Sequence, residues 1–100
     1  MFGLIGSFTA VPGKRRELAT ILLEGVGGMP GCRSYVVAED PKDEETLWIT
    51  EVWDTPEAHR ASLQLPSVKD AISRGRPLIH GFGEHREVRV LGGHGLSANT

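Results

Sequence analysis

The sequence predicts an α+β domain in which helices cover one face of a four-stranded antiparallel sheet. Four segments have the alternation or composition of strands, and two others repeat apolar residues at intervals of three and four. They follow one another as strand, helix, strand, strand, helix, strand, which is the order of the ferredoxin-like βαββαβ arrangement. A chain of 100 residues with 39% hydrophobic content fits one domain, which we assign to residues 1–92, followed by a tail at 93–100.

The first half of the predicted domain holds a strand, a helix and a second strand. Residues 2–11 form the first strand, since their side chains alternate between two faces, and the Pro12-Gly13 turn ends it. Apolar residues then recur at helical spacing through 18–29, which predicts an amphipathic helix with one face toward the sheet. The second strand covers 32–39, a segment rich in strand-forming residues.

The second half begins with the strongest strand signal in the chain, residues 46–54. Directly after it, Thr55-Pro56-Glu57 has the residues that begin a helix, namely a hydroxyl cap, a proline at the first position and an acid in the first turn. Pro66 interrupts this helix, and a short second helical piece is expected before the Gly75-Arg76-Pro77 break. The last strand is expected at 82–91.

Both tryptophans of the chain lie on the third strand, and they point to opposite faces. Because side chains alternate along a strand, Trp53 shares a face with Glu51, whereas Trp48 shares the other face with Val52. If helices cover only the first face, Trp48 and its apolar neighbours form a patch of the kind that soluble monomers rarely expose. Burying each such side chain contributes about 1.5–3 kcal/mol, so we expect a homodimer with the two sheets stacked face to face.

The composition excludes several classes of partner. A net charge of −2 and a pI near 6.1 give no basic surface for nucleic acid. No apolar run approaches the roughly 20 residues that cross a bilayer, so membrane residence is not expected. The single cysteine, Cys32, cannot form an intrachain disulfide, and no signal-like apolar segment is present, which favours a cytoplasmic location.

Other charged residues and histidines give weaker signals. The basic triplet Lys14-Arg15-Arg16 is interpreted as a solvated turn at the start of a helix. Arg74 and Arg76 frame a loop near the expected pocket mouth, where they either attract an anionic substrate or are simply solvated. The spacing of His80 and His85 matches no known zinc or iron motif, so the sequence predicts no metal site and no cofactor.

Four short motifs occur in one order along the chain: Pro12-Gly13, Pro30-Gly31-Cys32, Glu51-x-Trp53 and the run WDTPEAH at 53–59. Together they resemble the antibiotic biosynthesis monooxygenase family, over roughly residues 2–92. The resemblance implies a dimeric α/β barrel built from two ferredoxin-like units. It also implies one of several activities, which in this family include cofactor-free oxidation of quinols or anthrones and haem degradation.

The residues that the resemblance aligns with known catalytic positions differ from those of characterised branches. The haem-degrading branch has an asparagine, a tryptophan and a histidine where this chain has Gly6, Ser62 and Ile72, so haem degradation is not expected. Quinol-oxidising members often carry histidines at the positions of Ser62 and Ser67. His59 is then the best candidate for a catalytic residue, because family members can have a histidine or tyrosine bordering the pocket near this position.

Oxygenation without a cofactor requires a substrate that can itself donate an electron to dioxygen, held in a dry pocket beside a base. In this hypothesis Trp53 and Phe8 form pocket walls, His59 acts as base or hydrogen-bond donor, and Ser62 orients a substrate hydroxyl. Glu51 shares the Trp53 face and needs a partner such as His59 or an arginine. The expected partners are a small aromatic substrate and dioxygen.

Two structural alternatives stay open for these residues. Trp53 can serve as core packing beneath the second helix, alone or together with a pocket role, and His59 can be a partly exposed polar residue of a first helical turn. A second functional hypothesis is therefore a non-catalytic dimeric module that binds a small aromatic or hydrophobic ligand, with a sensing or stress role.

Overall fold

The computed structural model of the chain describes residues 1–96. Its elements are β1 (Phe2–Ala10), α1 (Arg15–Glu24), β2 (Cys32–Glu39), β3 (Thr46–Trp53), α2 (Pro56–Ser62), α3 (Pro66–Gly75), a 3-10 turn (Arg76–Leu78) and β4 (Ile79–Arg89). The sheet has four strands in the order β2-β3-β1-β4, and every neighbouring pair is antiparallel. The predicted α+β ferredoxin-like fold is confirmed.

Two of the predicted boundaries are wrong. The first helix is α1, which begins at Arg15 and ends before Gly25, so the apolar spacing that runs on to Met29 belongs partly to a loop. The last strand begins at Ile79, directly after the 3-10 turn, rather than at position 82. Three helices accompany the sheet among the described residues, and the third, α3, begins at Pro66 and is the second helical piece that the sequence predicts there.

The start of α2 follows the predicted capping chemistry. The Thr55 hydroxyl accepts a hydrogen bond from the backbone N–H of Ala58 at 3.1 Å, and Pro56 occupies the first turn. Just before β2, Gly31 has a φ of +80°, and a side chain there would come within 2.7 Å of the Ala58 β-carbon. A glycine at this turn therefore allows α2 to pack closely against the ends of β2 and β3.

The helix-facing side of the sheet carries the core. Trp53, Leu18 and Leu47 are the largest fully buried side chains of the described residues, and Ala10 and Ala19 pack beside the two leucines. Trp53 is 1% exposed, so it is a core residue beneath the helices, as one of the two sequence interpretations proposed. Large apolar side chains from both layers thus fix the distance between α1 and the sheet.

The opposite face of the sheet, which we call the open face, carries no helix among the described residues. Valine side chains at positions 36 and 88 are 50% and 38% exposed there, whereas Val52 is nearly buried by its neighbours. Trp48 is half-buried, and its indole N–H donates to a carboxylate oxygen of Asp40 at 2.9 Å. The polar edge of Trp48 is therefore satisfied within one chain, and its apolar ring belongs to the open face.

Arg15 is not the solvated residue that the sequence predicted. Its side chain is 19% exposed, and its guanidinium donates to the backbone carbonyls of Asp43 at 2.6 Å and Asp40 at 3.2 Å. The charged segment between β2 and β3 is thus held against the start of α1 by one arginine. The periodicity of the sequence could not show this, because the carbonyls belong to a distant loop.

Ser7 marks an irregular pairing between β1 and β4, where the register shifts between Gly6 and Phe8. Its buried hydroxyl accepts a hydrogen bond from the backbone N–H of Glu84 at 2.8 Å. A β-carbon at Gly83 would lie 2.3 Å from this hydroxyl oxygen. Glycine at position 83 therefore leaves room for the hydrogen bond between Ser7 and Glu84 at this irregular pairing.

We expect Gly83→Ala to destabilise the protein by about 1–3 kcal/mol, the usual range when extra atoms enter a well-packed site. Urea unfolding followed by circular dichroism measures the difference. Gly81→Ala in the same strand is the matched control, because a β-carbon there meets nothing within 4 Å, and it should leave stability nearly unchanged. Equal stability of the two variants would show that the Ser7 contact tolerates the added methyl group.

Beyond β4, the Val90 N–H donates to the Met1 carbonyl oxygen at 2.8 Å, which extends the pairing of β4 with the chain's beginning. Residues 91–96 have no helix or strand. The remainder of the predicted tail, residues 97–100, lies outside the described residues. Within the described part of the chain, no helix has the length and apolar character needed to cross a membrane.

Candidate active site

A pocket of about 200 Å³ lies between the sheet and the helices. Its floor comes from β1, β2 and β3, and its walls come from α1, the loop after it, α2 and α3. All five residues singled out in the sequence contribute to its lining: Phe8, Glu51, Trp53, His59 and Ser62. Most other lining residues are apolar, so the polar side chains of the pocket come from β2, β3 and α2.

Glu51 is the only acidic residue of the lining. One of its carboxylate oxygens, Oε1, accepts a hydrogen bond from the indole N–H of Trp53 at 2.9 Å. The side chain is 15% exposed, and burial raises the pKa of Glu51 above its ordinary value. The Trp53 hydrogen bond and the nearby imidazoles of His59 and His85 oppose this rise by stabilising the charged form.

His59, on α2, faces the same carboxylate oxygen of Glu51. Its Nε2 atom lies 3.9 Å from Oε1 of Glu51, too far for a direct hydrogen bond but close enough for an ion pair when the imidazole is protonated. The ring lies edge-on to Trp53, with centroids 5.4 Å apart, and tilted against Phe2 at 5.9 Å. At 24% side-chain exposure, His59 is held by aromatic contacts rather than extended into solvent.

Ser62 lies one helical turn beyond His59 and is buried, with 4% exposure. Its hydroxyl donates to the backbone carbonyl of His59 at 2.6 Å. The proton is therefore committed to the helix, and the hydroxyl oxygen is left to accept a bond from a pocket ligand. Phe8, on β1, closes another part of the wall and contacts Phe82 edge-on, with ring centroids 5.4 Å apart.

Tyr35 also lines the pocket and was missed in the sequence analysis. It lies opposite Glu51 in the pairing of β2 with β3. Burial, followed by the charges of Glu51 and Cys32, raises the pKa of its phenol, so the hydroxyl stays protonated and can donate. Alternation along 32–39 places Tyr35 on one face with Val37, but only the register between the two strands shows that this face contains Glu51.

The two arginines expected near the pocket mouth are not in its lining. Arg74 lies within α3 rather than in a loop, and its guanidinium pairs with Glu24 at 3.1 Å and Asp70 at 2.9 Å. Arg76 begins the 3-10 turn and lines a neighbouring cavity instead. Within residues 1–96, no group of three or more histidine, cysteine or acidic side chains is arranged to hold a metal ion.

Comparison with known proteins identifies the family. A family model described as antibiotic biosynthesis monooxygenase matches residues 1–74. The chain belongs to this family. No curated protein matches the chain.

Solved structures of candidate antibiotic biosynthesis monooxygenases have the same fold. One from Chloroflexus aurantiacus J-10-fl is 60% identical with a TM-score of 0.94, covering 96% of this chain and 98% of that chain. One from Deinococcus radiodurans is 25% identical with a TM-score of 0.75, covering 93% and 95%. One from Caulobacter crescentus CB15 is 17% identical with a TM-score of 0.82, covering 91% and 90%, and shows the fold alone.

All five predicted site residues lie within residues 1–74, the part of the chain that the family model matches. Four of them come from two adjoining elements, β3 and α2. Phe8 joins them from β1, which pairs directly with β3. The capped start of α2 sets His59 above the end of β3, where Glu51 and Trp53 lie on the helix-facing side. The site is therefore assembled by the fold that the family shares.

Proposed function

We propose that this chain is a cofactor-independent monooxygenase that oxidises a small hydroquinone-type aromatic with dioxygen. The observation that carries the proposal is the carboxylate–imidazole pair of Glu51 and His59, which lies at one side of a mostly apolar pocket. An electron-rich phenolate can reduce dioxygen directly. A protein that promotes this reaction has to remove the phenol proton and keep the charged intermediate away from bulk water.

His59 is the base in this proposal, and Glu51 stabilises the imidazolium that forms. The imidazole takes a phenol proton, and the phenolate transfers one electron to dioxygen. The semiquinone and superoxide then combine at the ring C–H carbon beside the carbon that bears the oxidised oxygen. The imidazolium returns its proton to the new peroxide. Loss of the hydrogen on that carbon and cleavage of the O–O bond release water and leave a hydroxyquinone, so one dioxygen is consumed for each substrate.

The pocket size favours one or two rings. A cavity of about 150 Å³ is known to hold benzene, and this pocket is about 200 Å³. A substituted single ring or a compact pair of rings therefore fits better than the three fused rings of an anthrone. The phenol of Tyr35 supports this placement, because it offers a hydrogen-bond donor near Glu51 for the second oxygen of a hydroquinone.

The proposed assembly is a homodimer joined through the open face, with Trp48 in the interface. Partly exposed apolar side chains on that face, including Val36 and Val88, support a second copy as its cover. Such a dimer leaves the pocket accessible, since the pocket lies on the other side of the sheet.

The test is an oxygen-uptake assay with a panel of hydroquinones under labelled dioxygen. We expect one labelled oxygen atom in each product, whereas spontaneous oxidation yields the quinone and hydrogen peroxide without incorporation. Unlabelled product at the background rate would contradict the proposal. Saturable binding without oxygen consumption would instead support the non-catalytic ligand-binding module.

His59→Ala is expected to lower the rate of labelled product formation by about a hundredfold, the lower end of what a general base contributes. His80→Ala is the matched control, because His80 is exposed on β4 and does not line the pocket. The control should retain the wild-type rate, and both variants should keep the oligomeric state. Unchanged turnover in His59→Ala would remove this imidazole from the mechanism.

A further inference from the structure

A second cavity of about 160 Å³ adjoins the active-site pocket. We call it the apolar chamber. Four residues line both spaces: Phe8, Leu22, Ala71 and Ile72. The chamber also has walls of its own, formed by Leu18 of α1 and by Ile79 and Phe82 of β4.

The chamber differs from the pocket in its chemistry. Arg76 is the only charged residue of its wall, and neither Glu51, His59 nor Tyr35 reaches it. The two spaces therefore lie side by side across a shared wall that includes Phe8, with polar groups lining the pocket and apolar side chains lining most of the chamber. A molecule that occupied both would be polar at one end and apolar at the other.

We infer that the apolar chamber binds an alkyl or prenyl chain carried by the aromatic substrate. This inference rests on the proposed function, because it assigns the aromatic ring of the substrate to the pocket beside Glu51 and His59. Phe8 stands at the shared wall with its ring edge-on to Phe82. A slender, flexible chain can pass beside such a side chain, whereas a rigid fused ring would have to displace it.

Exposure of Phe82 supports the same conclusion. Its side chain is 78% exposed although it forms part of the chamber wall, so the far end of the chamber is open beside β4. An apolar chain that reached this end would cover part of the Phe82 ring. The substrate class is thus a one- or two-ring hydroquinone with an aliphatic substituent of several carbons.

The test measures binding of hydroquinone and its methyl, propyl and pentyl derivatives by calorimetry under nitrogen. Wild-type affinity is expected to rise by about fourfold for each added methylene until the chamber is full. Ile79→Phe should remove the gain beyond methyl, because the larger side chain fills the chamber. Phe82→Ala should reduce the gain per methylene by opening the wall to water, and the gain of each variant is measured relative to its own affinity for unsubstituted hydroquinone.

Equal affinity across the series in the wild type would overturn the inference, and so would a series that neither variant alters. The oligomeric state of Phe82→Ala is also measured by sedimentation. If this variant dissociates while its affinities across the alkyl series stay unchanged, Phe82 belongs to a subunit contact and the inference is overturned. Anaerobic binding separates this result from the oxygenase proposal. If affinity rises with each added methylene but no oxygen is incorporated, the chamber assignment stands and the oxygenase activity is refuted.

Discussion

Glu51→Gln is expected to lower kcat for hydroquinone oxygenation by about a hundredfold or more while leaving the fold intact. Glutamine keeps an oxygen to accept the Trp53 indole N–H, which Glu51 now binds at 2.9 Å. It cannot stabilise a protonated His59, because it carries no charge. The loss should therefore appear mainly in kcat, measured by incorporation of labelled oxygen, with a smaller change in KM.

The same variant is expected to be less active but to gain folded stability relative to wild type as pH rises. Burial raises the pKa of Glu51, so the folded chain holds this proton more tightly than the unfolded chain does. As pH rises above the ordinary value of 4.5, the unfolded chain ionises first, and folded stability falls until the folded carboxyl has also ionised. Glutamine does not ionise, so Glu51→Gln should gain stability relative to wild type as pH rises through this range.

Thermal unfolding from acid to neutral pH measures this gain, and Glu57→Gln is the matched control. The Glu57 side chain is 74% exposed on α2 and lies outside the pocket lining, so its replacement should reproduce neither the loss of turnover nor the gain in stability expected of Glu51→Gln. A Glu51→Gln protein that is less active only because it unfolds more easily at neutral pH would contradict the electrostatic role. Wild-type activity with glutamine at position 51 would refute it.

Val36→Arg is expected to convert the proposed dimer to monomers by weakening association more than about a hundredfold. Val36 lies on the open face at 50% exposure, opposite Thr50 of β3. Two facing sheets would bury the introduced guanidinium without a partner, and a buried unpaired charge typically costs about 3–5 kcal/mol. Analytical ultracentrifugation over a range of concentrations measures the dissociation constant.

Leu23→Arg is the control for Val36→Arg, because Leu23 is similarly exposed, at 54%, but lies on α1 away from the open face. This variant should sediment as the wild type does. A dimer that survives Val36→Arg would place the interface elsewhere. A wild-type protein that remains a folded monomer at high concentration would exclude the dimer altogether.

Much of the candidate site could be predicted because its residues are close in sequence. Glu51, Trp53, His59 and Ser62 come from one strand and the helix that follows it directly, so alternation and capping chemistry place them together. Phe8 required the further prediction that the first strand shares the helix-facing side. These local patterns bring the side chains together, and their catalytic roles are proposals that the variants above test.

Tyr35 and Arg15 show what local patterns could not reveal. Tyr35 enters the pocket because the register of β2 against β3 sets it opposite Glu51, and that register depends on the whole sheet. Arg15 binds carbonyls of residues 40 and 43, which its own helix gives no reason to expect. The apolar chamber is a third case, since its walls combine α1, α3 and β4.

The sequence by itself determined the order and type of the elements, the two faces of the third strand and the start of α2. Each of these follows from side chains within a few residues of one another, through alternation, helical spacing or a capping hydroxyl. Only the tertiary structure decided which side chains share a cavity, that Glu51 is buried enough for its pKa to rise, and that a second cavity adjoins the first. These properties depend on distances between elements far apart in the chain, which side-chain packing sets and no local pattern encodes.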